Sequence, residues 1–440
     1  LKQNKNNIKR GLLNFKMAKI CVVGTGYVGM IQSVGMAKLG FNVIAVDIDE
    51  NKVDKINNKI PPIYEKGLKK LLEKLVPSKM SATTDLKKAV MESDVTFVCV
   101  GTPSKKQGSM SMYQLEVVSK EIGKILKNKN KYHVIVVKST VIPGTSENIV
   151  VKTIEKKSGK KCPKDFGIVM NPEFLKEGTA IDDFFEPDRI VLGSNDSKAL
   201  KIIKKLYSSF KCPVLETSLK EAEMIKYVSN AFLATKISFI NEIWNISKKF
   251  DINSNLIAKG IGLDRRISPK FLKSGIGFGG SCFPKDVNAL VYKATELGYN
   301  PRLLRSVLDV NREQPLKLLE LLEKLGKLRG KKIGILGLTF KSGTDDIRES
   351  PALSTIKELL MEEADLNIYD PKAMPQVKKI FPHLNYLKNG QQVIEDSEIV
   401  LILTEWPEFK KLNYGDKLVI DGKNVFDNGN VPKNYEGVCW

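Results

Sequence analysis

The stretch Lys19-Ile20-Cys21-Val22-Val23-Gly24-Thr25-Gly26-Tyr27-Val28-Gly29 decides the fold. Its first five residues are an apolar run of strand length, and three glycines in the spacing G-x-G-x-x-G follow at once. Met30 to Leu39 then reads as a helix stopped by Gly40, and Phe41–Val46 as a second strand ending in Asp47. The order is strand, Gly-rich turn, helix, strand and acid, with the acid 18 residues past the last glycine. Alone, the glycine spacing is a weak signal. In this context it permits a tight turn and close backbone approach to a pyrophosphate, which rests on the helix N-terminus. Asp47 would accept hydrogen bonds from adenosine ribose hydroxyls and repel a 2′-phosphate, which favours NAD over NADP.

Working outward, strands are expected at Val95–Val100, His133–Val137 and Gly167–Met170, with helical patterns such as Tyr113–Leu126 between them. That alternation implies a doubly wound parallel sheet. Three loops fall just past strand C-termini, where such sheets bind ligands: Gly101-Thr102-Pro103, Lys138-Ser139-Thr140 and Asn171-Pro172-Glu173. Ser218-Leu219-Lys220-Glu221 is a capping box opening a helical pattern that runs to about Phe250 without Gly or Pro. A helix of ~30 residues is about 45 Å long, enough to bridge two domains and present a face to a second subunit. A second α/β unit begins at Lys331, with strands at Lys332–Leu336 and near Leu366–Tyr369, Glu398–Leu403 and Leu418–Ile420. It lacks the glycine motif. The predicted architecture is therefore α/β, two Rossmann-like doubly wound domains joined by a long central helix in a helical middle domain. The expected boundaries are a disordered extension over 1–16, an NAD-binding domain over 17–215, the helical domain over 216–325 and the second Rossmann-like domain over 326–440.

Composition bounds the function. The 440 residues suggest about three domains, and 42 % hydrophobic residues exclude a mainly disordered chain. The net charge of +21 invites a nucleic-acid or membrane-surface reading. Only nine of the 71 basic residues are arginine, however, the residue that reads bases through its bidentate fork. A solvated lysine surface is the plainer reading, and no nucleic-acid or membrane partner is expected. The six cysteines contain no C-x-x-C pair and the chain has two histidines, which disfavours a zinc site or a disulfide framework. Cys21 and Cys99 sit in apolar runs and read as core residues. No apolar run reaches the roughly 18–20 residues of a membrane span, and the Lys/Asn-rich start resembles no signal peptide. The expected setting is cytoplasmic and reducing, without a metal.

Gly275-Ile276-Gly277-Phe278-Gly279-Gly280-Ser281-Cys282-Phe283-Pro284-Lys285-Asp286 is the most unusual segment. A cysteine follows a Gly-rich run, with a lysine and an aspartate close behind. It reads as a nucleophilic thiolate whose pKa nearby positive charge would lower, or as a core cysteine beside a flexible loop. With a dinucleotide domain in the same chain the first reading makes chemical sense. An alcohol oxidised to an aldehyde is trapped by the thiol as a thiohemiacetal; a second oxidation gives a thioester, and water releases the acid. That route needs a base, an oxyanion donor and two NAD per turnover.

The chain resembles the UDP-glucose/GDP-mannose dehydrogenase family of nucleotide-sugar dehydrogenases. The matching blocks are Gly24–Gly29, Val100–Pro103, Lys138–Gly144, Asn171–Gly178, Pro187–Val191, Glu221–Lys226, Gly277–Asp286 and Phe340–Pro351, in family order from about Met17 to Asp427. The F-L-x-E-G block with P-D-R-I is similar to the UDP-glucose branch rather than to the GDP-mannose or UDP-N-acetylmannosamine branches. The resemblance implies an NAD-dependent four-electron oxidation at C6 of UDP-glucose, with another nucleotide sugar as the alternative; the charge leaves a basic nucleic-acid-binding protein as the rival from a different class.

It also implies roles. Cys282 would be the nucleophile. Lys226 and Asn230, spaced i, i+4 and hence on one helix face, would stabilise the oxyanion. Asp286 and Thr140 would position or activate water, and Glu173 would be the base for thioester hydrolysis. The cofactor would contact Gly24, Gly26, Tyr27, Val28, Gly29, Asp47, Lys52, Thr102, Thr140, Glu177, Lys285 and Arg348. The UDP-sugar would contact Glu173, Phe174, Leu175, Lys176, Glu177, Lys226, Asn230, Phe271, Leu272, Lys273, Ser274, Gly275, Gly279 and Lys341, with the C-terminal domain binding its UDP part. A homodimer through the central helix is expected. Two positions depart from the family pattern: Lys423 stands where arginine is usual, so a bidentate contact becomes single, and Ser268 stands where glycine is usual.

Overall fold

The computed structural model describes residues 18–426 and 431–438. The extension expected over 1–16 lies outside them. The chain divides into two compact units, Leu1–Val228 and Ser229–Trp440.

In the first unit the strands are β1 (Lys19–Val23), β2 (Asn42–Val46), β3 (Met80–Thr83), β4 (Val95–Val98), β5 (His133–Val137), β6 (Phe166–Met170), β7 (Ile190–Gly193) and β8 (Val214–Thr217). The helices are α1 (Tyr27–Lys38), α2 (Glu50–Asn57), α3 (Leu68–Leu75), α4 (Leu86–Glu92), α5 (Tyr113–Leu126), α6 (Lys152–Ser158), α7 (Ala180–Phe185) and α8 (Ser197–Leu206). The sheet order is β3-β2-β1-β4-β5-β6-β7-β8. Its first six strands, in the order 3-2-1-4-5-6, are the doubly wound arrangement whose ligand crevice opens where the winding reverses, between β1 and β4. Strands β1, β4, β5 and β6 are apolar on both faces because helices cover both.

One expectation needs correction. The sheet is not wholly parallel, since β7 meets β6 antiparallel through the single pair Met170↔Gly193. The connection from β6 carries only the short helix α7, so the chain re-enters the sheet in the opposite direction. Strands β7 and β8 run parallel to each other and were not expected from the sequence. Helix α1 also starts at Tyr27 rather than Met30, inside the glycine motif itself.

The boundary between the units falls inside α9 (Leu219–Lys249), the 31-residue helix opened by the expected capping box. There Glu221 N donates to Ser218 Oγ at 3.3 Å and Ser218 N donates to Glu221 Oε2 at 2.9 Å. The second unit continues with α10 (Ser254–Gly262), α11 (Phe283–Glu296), α12 (Arg302–Glu313) and α13 (Leu316–Glu323). It then builds β9 (Lys332–Leu336), α14 (Pro351–Met361), β10 (Asp365–Tyr369), α15 (Met374–Ile380), β11 (Asn385–Tyr386), α16 (Gly390–Glu395), β12 (Ile399–Ile402), β13 (Leu418–Asp421) and β14 (Asn434–Gly437). These strands form a parallel sheet in the order β11-β10-β9-β12-β13-β14. The fold is thus α/β, two doubly wound sheets with a helical region between them in the chain. No helix among the described residues is long and apolar enough to cross a membrane.

Candidate active site

The glycine turn is built as its sequence requires. Gly24 sits at φ +91°, and a Cβ there would lie 2.9 Å from Cys99 O. A Cβ on Gly29 would lie 1.8 Å from Gly24 O, so helix and turn close together only without one. A Cβ on Gly26, in contrast, would meet nothing within 4 Å. The bare face of that residue is open at the N-terminus of α1, and the cradle fits a dinucleotide pyrophosphate. Asp47 ends β2. Its Oδ2 accepts from Thr25 N at 2.8 Å and Thr25 Oγ1 at 2.6 Å, and Lys52 Nζ stands 3.8 Å away. Burial alone would raise the Asp47 carboxyl; the Thr25 hydrogen bonds and Lys52 outweigh it and hold it below the ordinary value. A fixed carboxylate at this position suits ribose hydroxyls and repels a phosphate. Thr102 Oγ1 donates to Thr140 O at 2.8 Å, tying the loop after β4 to the loop after β5.

Beyond β6 the first unit gathers its buried charges. Lys226 Nζ, on α9, lies 2.9 Å from Glu173 Oε1, with the two side chains 4 % and 7 % exposed. Glu173 Oε2 accepts from Leu175 N at 2.7 Å. Burial pushes this carboxyl up, but the Lys226 ammonium and the Leu175 N–H more than offset it and leave it below the usual carboxylate range. The pair sits beside a second buried lysine. Lys138 Nζ donates to Asn171 Oδ1 at 3.0 Å, and burial pushes its pKa down to about 8. Asn171 is held in turn by Tyr207 Oη at 2.6 Å and by its own bond to Val191 O at 2.9 Å. Arg189 lies over the Phe174 ring at 3.9 Å and Lys226 at 5.4 Å. Lys138, Asn171, Glu173, Phe174, Arg189 and Tyr207 line a partly open cavity of about 80 Å³. Of the other residues of this loop, Leu175 packs on the core, Lys176 is exposed and paired with Asp183, and Glu177 is half-buried.

In the second unit Cys282 is the N-cap of α11 and is exposed, with Ser281 Oγ 3.6 Å from its Sγ. A helix N-terminus favours the thiolate over the thiol. One turn on, Asp286 is 1 % exposed; it accepts from Asn230 Nδ2 at 2.6 Å and from the neighbouring Lys285 ammonium. Asn230, expected beside Lys226, and Asp286, expected beside Thr140, are thus bonded to each other, a pairing the sequence did not suggest. The glycines before Cys282 serve a purpose the sequence did not reveal. A Cβ on Gly279 would lie 2.1 Å from Glu349 O, one on Gly280 2.9 Å from the Phe340 ring, and one on Gly275 2.9 Å from Gly422 O. Their bare faces are filled by protein, which lets the segment pack against the Phe340–Pro351 block and, at Gly275, against Gly422. Asn311 clamps it further by bonding both Phe278 N (2.7 Å) and Phe278 O (3.0 Å).

The remaining expected contacts are mixed. The Phe271 ring lies tilted against Phe283 at 6.3 Å, while Leu272 and Ser274 are buried in protein and Gly275 N donates to Asn241 Oδ1 at 2.9 Å. Lys273 contributes to the field at buried Asp421, whose carboxyl burial raises to about 6. Arg348 forks onto Asp346, and Lys341 stands 5.7 Å from the Phe340 ring centroid. The two departures from the family pattern acquire structural content. Lys423 Nζ donates to Phe340 O at 3.1 Å and stands 4.0 Å from Glu405 Oε2. Ser268 lies at φ +66°, in the left-handed region, where a side chain costs about 1–2 kcal/mol relative to glycine. Sequence reasoning assigned no role to Lys138 or Asn171, nor to Glu223, which is fully buried and accepts from Ser146 N at 2.7 Å. The available signal was a charged residue directly abutting an apolar strand, as Lys138 abuts Val137.

The comparisons with known proteins agree with this layout. The UDP-glucose/GDP-mannose dehydrogenase family matches along the chain, its NAD binding domain over residues 18–211, its central domain over 220–313 and its UDP binding domain over 334–428. UDP-glucose 6-dehydrogenase TuaD of Bacillus subtilis is 42 % identical over 420 residues, covering 93 % of this chain and 90 % of its own. UDP-glucose 6-dehydrogenase AglM of Haloferax volcanii is 40 % identical over 417 residues, covering 92 % and 97 %. The solved UDP-glucose dehydrogenase of the archaeon Pyrobaculum islandicum, 38 % identical, superposes with a TM-score of 0.92 over 96 % of this chain and 98 % of its own. The chain belongs to the UDP-glucose/GDP-mannose dehydrogenase family and is an NAD-binding nucleotide-sugar dehydrogenase.

Proposed function

We propose that this protein oxidises C6 of UDP-glucose to the carboxylate of UDP-glucuronate, through a thiohemiacetal and a thioester on Cys282. The observation that carries the reading is α9, which bears both the buried Lys226–Glu173 pair and, one turn on, Asn230 bonded to Asp286. When bound, NAD supplies the hydride acceptor for both oxidations. Lys226 Nζ and Asn230 Nδ2 donate to the C6 oxygen and stabilise the charge it carries at each tetrahedral stage. The Cys282 thiolate adds to the aldehyde carbon, forming the C–S bond. Asp286 and Thr140 hold the water that attacks the thioester, and Glu173 takes its proton as the C–S bond breaks. Gly24, Gly26, Tyr27, Val28 and Gly29 hold the pyrophosphate side of NAD, with Asp47 and Lys52 at the ribose. Thr102, Glu177, Lys285 and Arg348 are assigned to the rest of the cofactor. Phe174 to Glu177, Phe271 to Gly275, Gly279 and Lys341 are assigned to the UDP-sugar.

Purified protein with NAD and limiting UDP-glucose should release two NADH per sugar, read in the near ultraviolet. One NADH per sugar would remove the thioester step. A higher kcat/KM for GDP-mannose or a UDP-N-acetylhexosamine in the same assay would reassign the substrate.

The protein is further proposed to pair through α9. Val228, Phe232, Phe239 and Ile246 are 46–64 % exposed and spaced by four and seven residues, so they form one apolar stripe. Water against such a stripe is unfavourable, and a second copy would cover it. Light scattering should report a dimer that Phe232→Lys with Phe239→Lys converts to monomer; a monomeric parent protein contradicts the proposal.

A further inference from the structure

Glu65 lies between α2 and α3, in a segment to which no role is assigned above, yet it is only 6 % exposed. Its carboxylate takes three hydrogen bonds. Oε1 accepts from Ala180 N at 3.0 Å, and Oε2 accepts from Gly178 N at 2.8 Å and from the Tyr27 hydroxyl. Gly178 N is shared, lying 2.8 Å from Tyr27 Oη as well. Burial and the Glu65 carboxylate push the Tyr27 phenol far up, so the hydroxyl stays a donor. Thr179, the N-cap of α7, makes no side-chain cap of its own; Glu65 supplies it from outside. Gly178 stands at φ +85°, where the chain turns out of the Phe174–Glu177 loop and into α7.

One carboxylate thus joins two segments with different tasks. Tyr27 is the first residue of α1, in the turn that fits the pyrophosphate. Gly178 ends the loop assigned to the nucleotide sugar. We propose that Glu65 is a positioning residue that clamps the Phe174–Gly178 loop to the Gly24–Gly29 turn, so that cofactor and nucleotide-sugar binding reinforce each other through it. The proposal rests on the assignment of that loop to the sugar nucleotide made above. Ordering the turn around a dinucleotide fixes Tyr27, which fixes the shared N–H of Gly178 and hence the loop. The second ligand then meets a loop already ordered. By reciprocity each ligand must tighten the other by the same factor.

The test is NADH binding, followed by its fluorescence, alone and with saturating UDP or GDP. In the parent protein the nucleotide that binds should tighten NADH about five- to fiftyfold, and Glu65→Gln should bring that factor close to one. In steady state Glu65→Gln should raise KM for UDP-glucose about tenfold while kcat at saturation falls less than about threefold. If Glu65→Gln does not fold, Tyr27→Phe keeps the carboxylate and removes only the bridging hydroxyl, and the factor should still fall. A parent factor of one, or an unchanged factor in the variant that folds, overturns the proposal. So does a uniform loss of kcat with KM unaltered, the mark of a general structural defect. Binding of GDP but not UDP would sink the UDP-glucose reading alone, because the coupling is then measured with GDP.

Discussion

Cys282→Ser should lower steady-state NADH production by at least about a thousandfold while the fold and the affinity for NAD persist. The side chain is the N-cap of α11 and exposed, so the substitution removes the proposed nucleophile without opening a cavity. A thiol ionises near neutrality at a helix N-terminus, whereas a serine hydroxyl does not. Any covalent adduct that forms on serine is an ester, which water cleaves more slowly than a thioester. Rapid-quench stoichiometry should therefore show a small burst of NADH followed by a stall, and intact mass should report sugar nucleotide retained on the protein. Cys282→Ala should show neither burst nor adduct. Full turnover in either variant would remove the cysteine from the chemistry.

Lys226→Met should produce the second large effect, on activity and stability together. Removing one partner of a buried ion pair leaves the other charge uncompensated, at a cost of about 3–5 kcal/mol, and Glu173 is 7 % exposed. In the role proposed for Lys226, loss of an oxyanion donor costs a further ~10²–10³ in kcat. The pH dependence carries the signature. In the parent protein the Glu173 carboxyl sits below its unfolded value, because the Lys226 ammonium outweighs burial. Its contribution to stability is present above the unfolded value of about 4.3 and is lost as pH falls through the folded value. Without the ammonium, burial dominates and the carboxyl rises above its unfolded value. The variant therefore loses stability as pH rises from about 4.3 toward neutrality. Denaturant midpoints for the two proteins should lie far apart at pH 7 and converge near pH 4. A gap that is constant with pH would show that the pair does not hold Glu173 ionised.

Much of the fold was legible because its determinants are local. A strand, three glycines, a helix and an acid within Lys19–Asp47 already state a βαβ unit, and the structure shows the steric reason at Gly24 and Gly29. The capping box at Ser218 and Glu221 opened the long helix as expected. Strands β7 and β8 were not legible. Val214–Thr217 is half-exposed at the sheet edge and has no apolar alternation, and the reversal at β7 hangs on one residue pair. The short β14, Asn434–Gly437, carries no strand signal either.

The site divides in the same way. Residue types and spacings along single segments, Cys282 with Asp286 or Lys226 with Asn230, follow from one helix turn and were readable in order. Which buried charge answers which could not be read. Glu173 meets Lys226, Lys138 meets Asn171, Asn230 meets Asp286, and Glu65 meets Gly178 across separations of tens of residues or more. The sequence by itself determined the two doubly wound halves and the NAD turn and singled out Cys282 as the candidate nucleophile, since steric and periodic constraints act over a few neighbouring residues. Only the tertiary structure decided the partners of the buried polar groups. A group taken out of water must find a partner, and that partner is whichever segment the sheet and its helices bring alongside.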